Sequence, residues 1–397
     1  MFSHPADLLG LSQIHRVRPH WVELRLARDA LGMASRELLH AGPPLQDPGD
    51  ACAPVVNSIV SAILFEGWAK DAQEARHLYR SGEVHLRPAQ DSGCLVPLAD
   101  VLSPSMWVQQ ISDAAGLGQD RFSPLNAGMI HPQRVGVFNG QVVEHLRWLN
   151  GRLANSLQTA LKSTSPHGVD LLAVADQALK GGDDLHANNA RASSVLFALL
   201  EPGLSGDHGG EVKTFLRDAA PFFLNLWMAA CSCMLSAARE IRDCAIVTAA
   251  GGNGQHFGVQ VAAAPGRWWI APSVPPTPLE APSRGVCLPA IGDSAVVDLA
   301  GFGAMTTLTQ PSRSIPFASL WPDKVNVASL LLGSSHPALT LTQARCGTSS
   351  RQVTACGQSP IVALGILDAN GQLGRIAGGF FTSPMSVFEM AVAEMTR

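Results

Sequence analysis

Residues 244–366 make up 123 positions that carry only ten charged side chains: Arg267, Glu280, Arg284, Asp293, Asp298, Arg313, Asp323, Lys324, Arg345 and Arg351. A water-facing surface needs charge, so so bare a segment must be covered by the rest of the chain or by partner subunits. Residues 1–243 hold 45 of the 60 charged side chains. The low overall charge of 15%, against about 25% in soluble domains, is therefore a property of one half. With 46% hydrophobic residues, a disordered chain is excluded.

The formal net charge is −4 and no run of Lys or Arg occurs. Nucleic acid and anionic membrane surfaces are poor partners for such a chain. Residues 219–238 are twenty uncharged positions, about the length of a bilayer span. Pro221, Asn225, Ser232 and Ser236 within them, and the charged pairs on both sides, favour a buried helix instead. The start of the chain lacks a basic and then apolar leader, so a cytoplasmic location is expected. Eight cysteines are scattered without CxxC spacing or a companion His, which points to reduced core thiols and no metal site.

Spacing of Leu24, Ala27, Leu31 and Leu38 predicts a helix over 21–40. A helix pair is expected over 53–69 and 71–79, then short strands at 83–87 and 106–111 around an Asp91-Ser92-Gly93 loop. Residues 142–240 read as almost wholly helical, with breaks near 163–168, 181–182 and 202–210. Beyond them the period changes. Apolar runs 244–249 and 256–262 flank Gly251-Gly252-Asn253-Gly254, a hairpin signal. Further strands are expected at 268–271, 295–299, 361–366 and 376–381, with a closing helix over 385–395. The reading is a multi-domain, mixed α+β fold whose helical middle precedes a mostly antiparallel, strand-rich C-terminal region. The expected domains are 1–141, 142–243 and 244–397.

Gly252-x-Gly254 with Gly258 lacks the helix that would receive a pyrophosphate, and no P-loop, HExxH or GxSxG is present. No cofactor is expected. Four polar groups remain. Asp183-Asp184-Leu185-His186 with Asn189 opens a helix, either as a reactive cluster or as a cap with His186 on the surface. Asp293-Ser294 lies beside an expected strand, as site residues or as a turn. Arg267 beside Trp268-Trp269 offers a cation to an anion or simply snorkels. Gly374 with Gly378-Gly379 reads as an anion nest or a close approach of two chains.

Taken in order, LHAGPP (39–44), AILFEGWAK (62–70), LSPSM (102–106), GDDLHANN (182–189), FLNLWMAA (223–230), VTAAGGNGQHFG (247–258), RWWIAP (267–272), IGDSAVVDLA (291–300) and AGGFFTSPM (377–385) resemble the AllG-type (YlbE-like) family. The resemblance runs from about residue 38 to the C-terminus and marks a divergent, N-terminally shortened member. It implies a subunit of a carbamoyltransferase, working with FdrA-like and AllH-type partner subunits or as a homo-oligomer, in allantoin breakdown. The implied reaction is phosphorolysis of a ureido acid such as oxalurate to oxamate and carbamoyl phosphate, or its reverse. Carried over residue by residue, His186 and Asp183 become catalytic candidates; Asn189, Asn253, Gly254, Arg267, Asp293 and Ser294 become substrate-binding candidates for a small anionic substrate and phosphate.

Departures from the family pattern accompany the resemblance. Asn188 and Gly252 stand where it has arginines, Asp184 where it has Glu, residues 89–96 where it has a His-rich loop, and Leu367-Asp368 near a His-Lys pair. Fewer cations weaken an anion site. The alternative to a catalytic subunit is thus a non-catalytic scaffold, or a small-anion-binding protein of the same descent.

Overall fold

The computed structural model describes residues 2–125, 127–205, 209–308 and 330–395. It is a mixed α+β fold of four small sheets packed around helices. The first sheet runs Arg121–Pro124, Trp107–Asp113, Pro19–Leu26, Val169–Asp170, all antiparallel. In the second, Glu37–His40 pairs parallel with His85–Pro88 and antiparallel with Val101–Leu102. The helices Ala53–Glu66 and Ala72–Arg80 make the crossover that a parallel pair requires.

The expected helix over 21–40 is not formed. Its residues form the strand Pro19–Leu26, a short helix Ala27–Leu31 closed by left-handed Gly32, and the strand Glu37–His40. Pairing with Trp107–Asp113, with a bulge between Trp21 and Glu23, keeps both Trp21 and Leu24 fully buried. Burial overrode local spacing.

The helix pair over 53–80 and the helical run from Gly140–Trp148 to Phe222–Ser236 match their expectations. Phe222–Ser236 is buried on nearly every side, with Phe223, Trp227 and Phe302 packed ring against ring. Among the described residues, no single helix is long and apolar enough to cross a membrane. All eight cysteines are free thiols.

The third sheet has the order Trp269–Pro272, His256–Val261, Val247–Asn253, Ile291–Gly292, and the fourth Thr277–Pro278, Arg375–Thr382, Ile361–Leu367. Both are antiparallel, as expected for the charge-poor half. Residues 295–299, read as a strand, are the helix Ala295–Leu299. Val296-Val297 favours a strand locally, but an apolar run this short has no decisive period and every residue of it is buried either way. Much of this half is covered by the chain itself, since Val247, Phe257, Val259, Leu299, Ala363 and Phe388 share one core.

Candidate active site

GDDLHANN forms a compact turn before the helix Ala190–Leu200. Asp183 accepts the N–H groups of Arg191 and Ala192 (3.3 and 2.8 Å), satisfying the helix start. Asp184 accepts from His186 and Asn188 (2.7 and 3.0 Å). Leu185 between them is left-handed, φ 68°, a conformation that costs about 1–3 kcal/mol outside glycine. The turn thereby points His186 inward, where it is 6% exposed. Its Nδ1 lies 2.5 Å from Asp298 Oδ2.

Asp298 comes from the helix Ala295–Leu299, and its other oxygen accepts the N–H groups of Ala304 and Ala363 (2.8 and 3.1 Å). Gly303 makes the approach feasible: a Cβ there would overlap Asp298 Oδ1 and come within 2.8 Å of His186 Cβ, and its φ is +58°. Burial alone would lower the His186 pKa, but the charge and hydrogen bond of Asp298 outweigh it and the net direction is upward. Burial pushes Asp298 up as well, with His186 pulling back. The two groups titrate as a coupled pair.

His186 lines a cavity of about 700 Å³. With Nδ1 bound to Asp298, Nε2 is the ring nitrogen left to meet a ligand. Around it the cavity wall includes Leu98, His131, Arg134, Asn225, Ser294 and Arg375. Leu98 and His131 are both left-handed, φ 49°, so strain gathers at this site. Arg134 gives Nη2 to the Gly128 carbonyl at 2.6 Å, while its Nη1 is shielded from water and lacks a hydrogen-bond partner. Burial, and the nearby charge of Arg375, bring its pKa down to about 10 despite Asp100. Among the described residues, neither Arg134 nor Arg375 has a carboxylate within 4 Å. Two cations lacking a carboxylate ion pair, the half-buried Arg134 and the exposed Arg375, give this cavity the chemistry to hold an anion.

Of the expected catalytic and substrate-binding residues, His186 and Ser294 line this cavity and the others do not, while Gly374, Gly378 and Gly379 line it as well. Asp183 caps a helix. Asn189 sits behind His186, giving Nδ2 to its carbonyl at 2.7 Å. Asn253 closes the 253–256 turn, accepting from Gln255 and His256 (3.0 and 2.8 Å); Gly254, φ +85°, is the turn itself. Asp293 is wholly buried, with Oδ1 accepting from Gly42 and Gln90 (2.8 and 2.6 Å) and Oδ2 from Val96 (2.9 Å). Asn253 also donates to the Pro43 carbonyl at 3.0 Å. The 39–44 and 251–254 motifs thus meet in a joint fastened by Asp293 and Asn253. Arg267 is on the surface, paired with Glu394 and lying over the Trp269 ring at 5.6 Å. A side chain at Gly252 would run into the Ala290 carbonyl, so no arginine fits that position in this packing.

Asp298, Arg134 and Arg375 carry the site and were absent from the expected set. Asp298 had a sequence signal, being one of ten charges in an apolar half. Arg134 and Arg375 had none beyond their glycine and proline neighbours.

The family model of the oxamate carbamoyltransferase subunit AllG matches residues 84–294. AllG of Escherichia coli (strain K12) is 30% identical over 98% of this chain and 96% of its own length. The uncharacterized protein YahG of the same strain is 28% identical over 98% of this chain and 82% of its own. Coverage this wide takes in the first forty residues, beyond the stretch from about residue 38 over which the motifs resemble the family. The crystal structure of a conserved protein of unknown function from Enterococcus faecalis V583 superposes with a TM-score of 0.90 at 26% identity, covering 98% of this chain and 97% of that one. By model match and by identity along nearly its whole length, the chain belongs to the AllG family, as a divergent member.

Proposed function

We propose that the cavity is the carbamoyl-transfer site of a carbamoyltransferase subunit acting on a ureido acid such as oxalurate, with His186 as general acid and base. The observation that carries this reading is the His186–Asp298 pair opening onto a cavity that also holds Arg134. In phosphorolysis, a phosphate oxygen bonds the carbamoyl carbon and the carbon–nitrogen bond breaks. The electron pair goes to the departing oxamate nitrogen, which needs a proton. A raised imidazolium at His186 Nε2 supplies it, and in the reverse direction the neutral ring takes it back. Arg134 holds the anionic partner and neutralises charge gathered at the reacting centre. Asp298 acts through His186 and is a positioning residue.

The relative's name calls it a subunit, and a multi-subunit assembly with FdrA-like and AllH-type partners is the matching proposal here. The test is to co-purify the chain with its partner subunits and assay carbamoyl phosphate from oxalurate and phosphate. Turnover lost in His186→Gln, with oxalurate still bound, supports the acid role. Turnover unchanged removes His186 from the chemistry, and binding without turnover in the parent assembly leaves the small-anion-binding reading in its place.

A further inference from the structure

Gly365 and Gly378 face each other across the strands Ile361–Leu367 and Arg375–Thr382. Neither has a positive φ, so the backbone does not demand glycine at either place. Two paired glycines weaken a sheet and mark a place where something approaches closely. What approaches is Arg375. A Cβ on Gly365 would stand 3.1 Å from its Nε, and one on Gly378 would stand 3.0 Å from its Nη2. The bulge between Ile366 and Leu367 is where the arginine turns back over this bare floor, held by one bond from Nε to the Ala377 carbonyl at 3.2 Å. All three residues line the cavity that contains Arg134 and His186.

We infer that Arg375, lying on the Gly365–Gly378 shelf, is a separate subsite that takes a ligand carboxylate, and that the two glycines set its position. This inference rests on the cavity being the anion site proposed above. A guanidinium laid flat on a side-chain-free floor offers its N–H edge as a fork, which matches a planar carboxylate in two parallel bonds. Arg134, half-buried and bonded to the Gly128 carbonyl, is left for the second anion. The charge of Arg375 bears on Arg134, and bringing one anion to each relieves that repulsion. The cavity therefore takes two anionic groups at two places, as a carboxylate substrate and phosphate together would require.

The test is calorimetric titration of the full chain with oxamate and, separately, with inorganic phosphate. Gly378→Ala fits the strand backbone and pushes only against the arginine tip. It and Arg375→Ala are expected to weaken oxamate by tenfold or more and to leave phosphate within twofold. Arg375→Lys keeps the charge without the fork and should fall between. Both readouts are binding and not turnover, so a failed transfer mechanism is told apart from a failed subsite. Should Gly378→Ala unfold, Arg375→Ala decides alone. Oxamate affinity unchanged in Arg375→Ala overturns the proposal, and so does a loss confined to phosphate.

Discussion

His186 Nδ1 and Asp298 Oδ2, from positions 112 apart in sequence, meet at 2.5 Å in the buried wall of the cavity. Asp298 is held by the N–H groups of Ala304 and Ala363 and cannot follow if the histidine moves. His186→Gln should reduce turnover by about 10²–10⁴-fold. In Asp298→Asn the attraction that holds the His186 pKa above its ordinary 6.5 disappears and burial dominates. The limb of the pH–rate profile that reports the protonated imidazole should then move to lower pH. An unmoved limb, or an unmoved His186 titration by NMR, would show that Asp298 does not set the proton affinity.

Gly303→Ala should break this contact sterically. The new Cβ overlaps Asp298 and crowds His186, at a φ that favours glycine. A loss of about 1–3 kcal/mol in stability is expected from overpacking of this kind. Chemical denaturation checks it; a variant as stable as the parent, with unchanged turnover, would mean that the pair has slack.

Arg134→Met removes a half-buried cation whose Nη1 is shielded from water and lacks a partner. Charge-assisted bonds contribute about 1.5–3 kcal/mol, so anion affinity should drop by roughly ten- to hundredfold. Melting temperature should hold or rise, because a half-buried cation without a carboxylate in ion-pair contact loses hydration on folding and gains little in return. Loss of both affinity and stability would make Arg134 a structural residue.

Asp293 gives a pH dependence of stability. Burial pushes its carboxyl from 3.8 up to about 7, against the pull of Gly42, Val96 and Gln90 and with Asp91 adding to the rise. Between those two values the folded chain keeps a proton that the unfolded chain has released. Stability therefore falls as pH rises from about 4 to about 7, then levels. Asp293→Asn should flatten that slope and lower stability overall by about 1–3 kcal/mol, since its amide N–H faces the Val96 donor. Melting temperatures at pH 5.5 and 8 provide the check, and an unchanged slope would assign the titration elsewhere.

Arg267→Ala should change little. Its side chain is 58% exposed and its partner Glu394 is 38% exposed, and such pairs contribute about 0–1 kcal/mol. Oxalurate and phosphate affinities should stay within twofold of the parent. A larger loss would return Arg267 to the anion site.

The sequence by itself determined the family, the α+β class and the change from helical to strand-rich order, because hydrophobic periods and ordered motifs are local properties. It also singled out His186 and Ser294, and it marked a half so poor in charge that it had to be covered. It misread 21–40 and 295–299, where burial and strand pairing with distant residues outweigh local preference. Tertiary structure alone decided the roles within the motifs. Asp293 and Asn253 stand in motifs as distinctive as that of His186, yet they fasten a joint between chain segments some 200 positions apart. Arg134, Arg375 and Asp298 become a site only when the sheets and the His186 turn close round one cavity. Convergence of side chains is set by packing over the whole chain, and no window of sequence contains it.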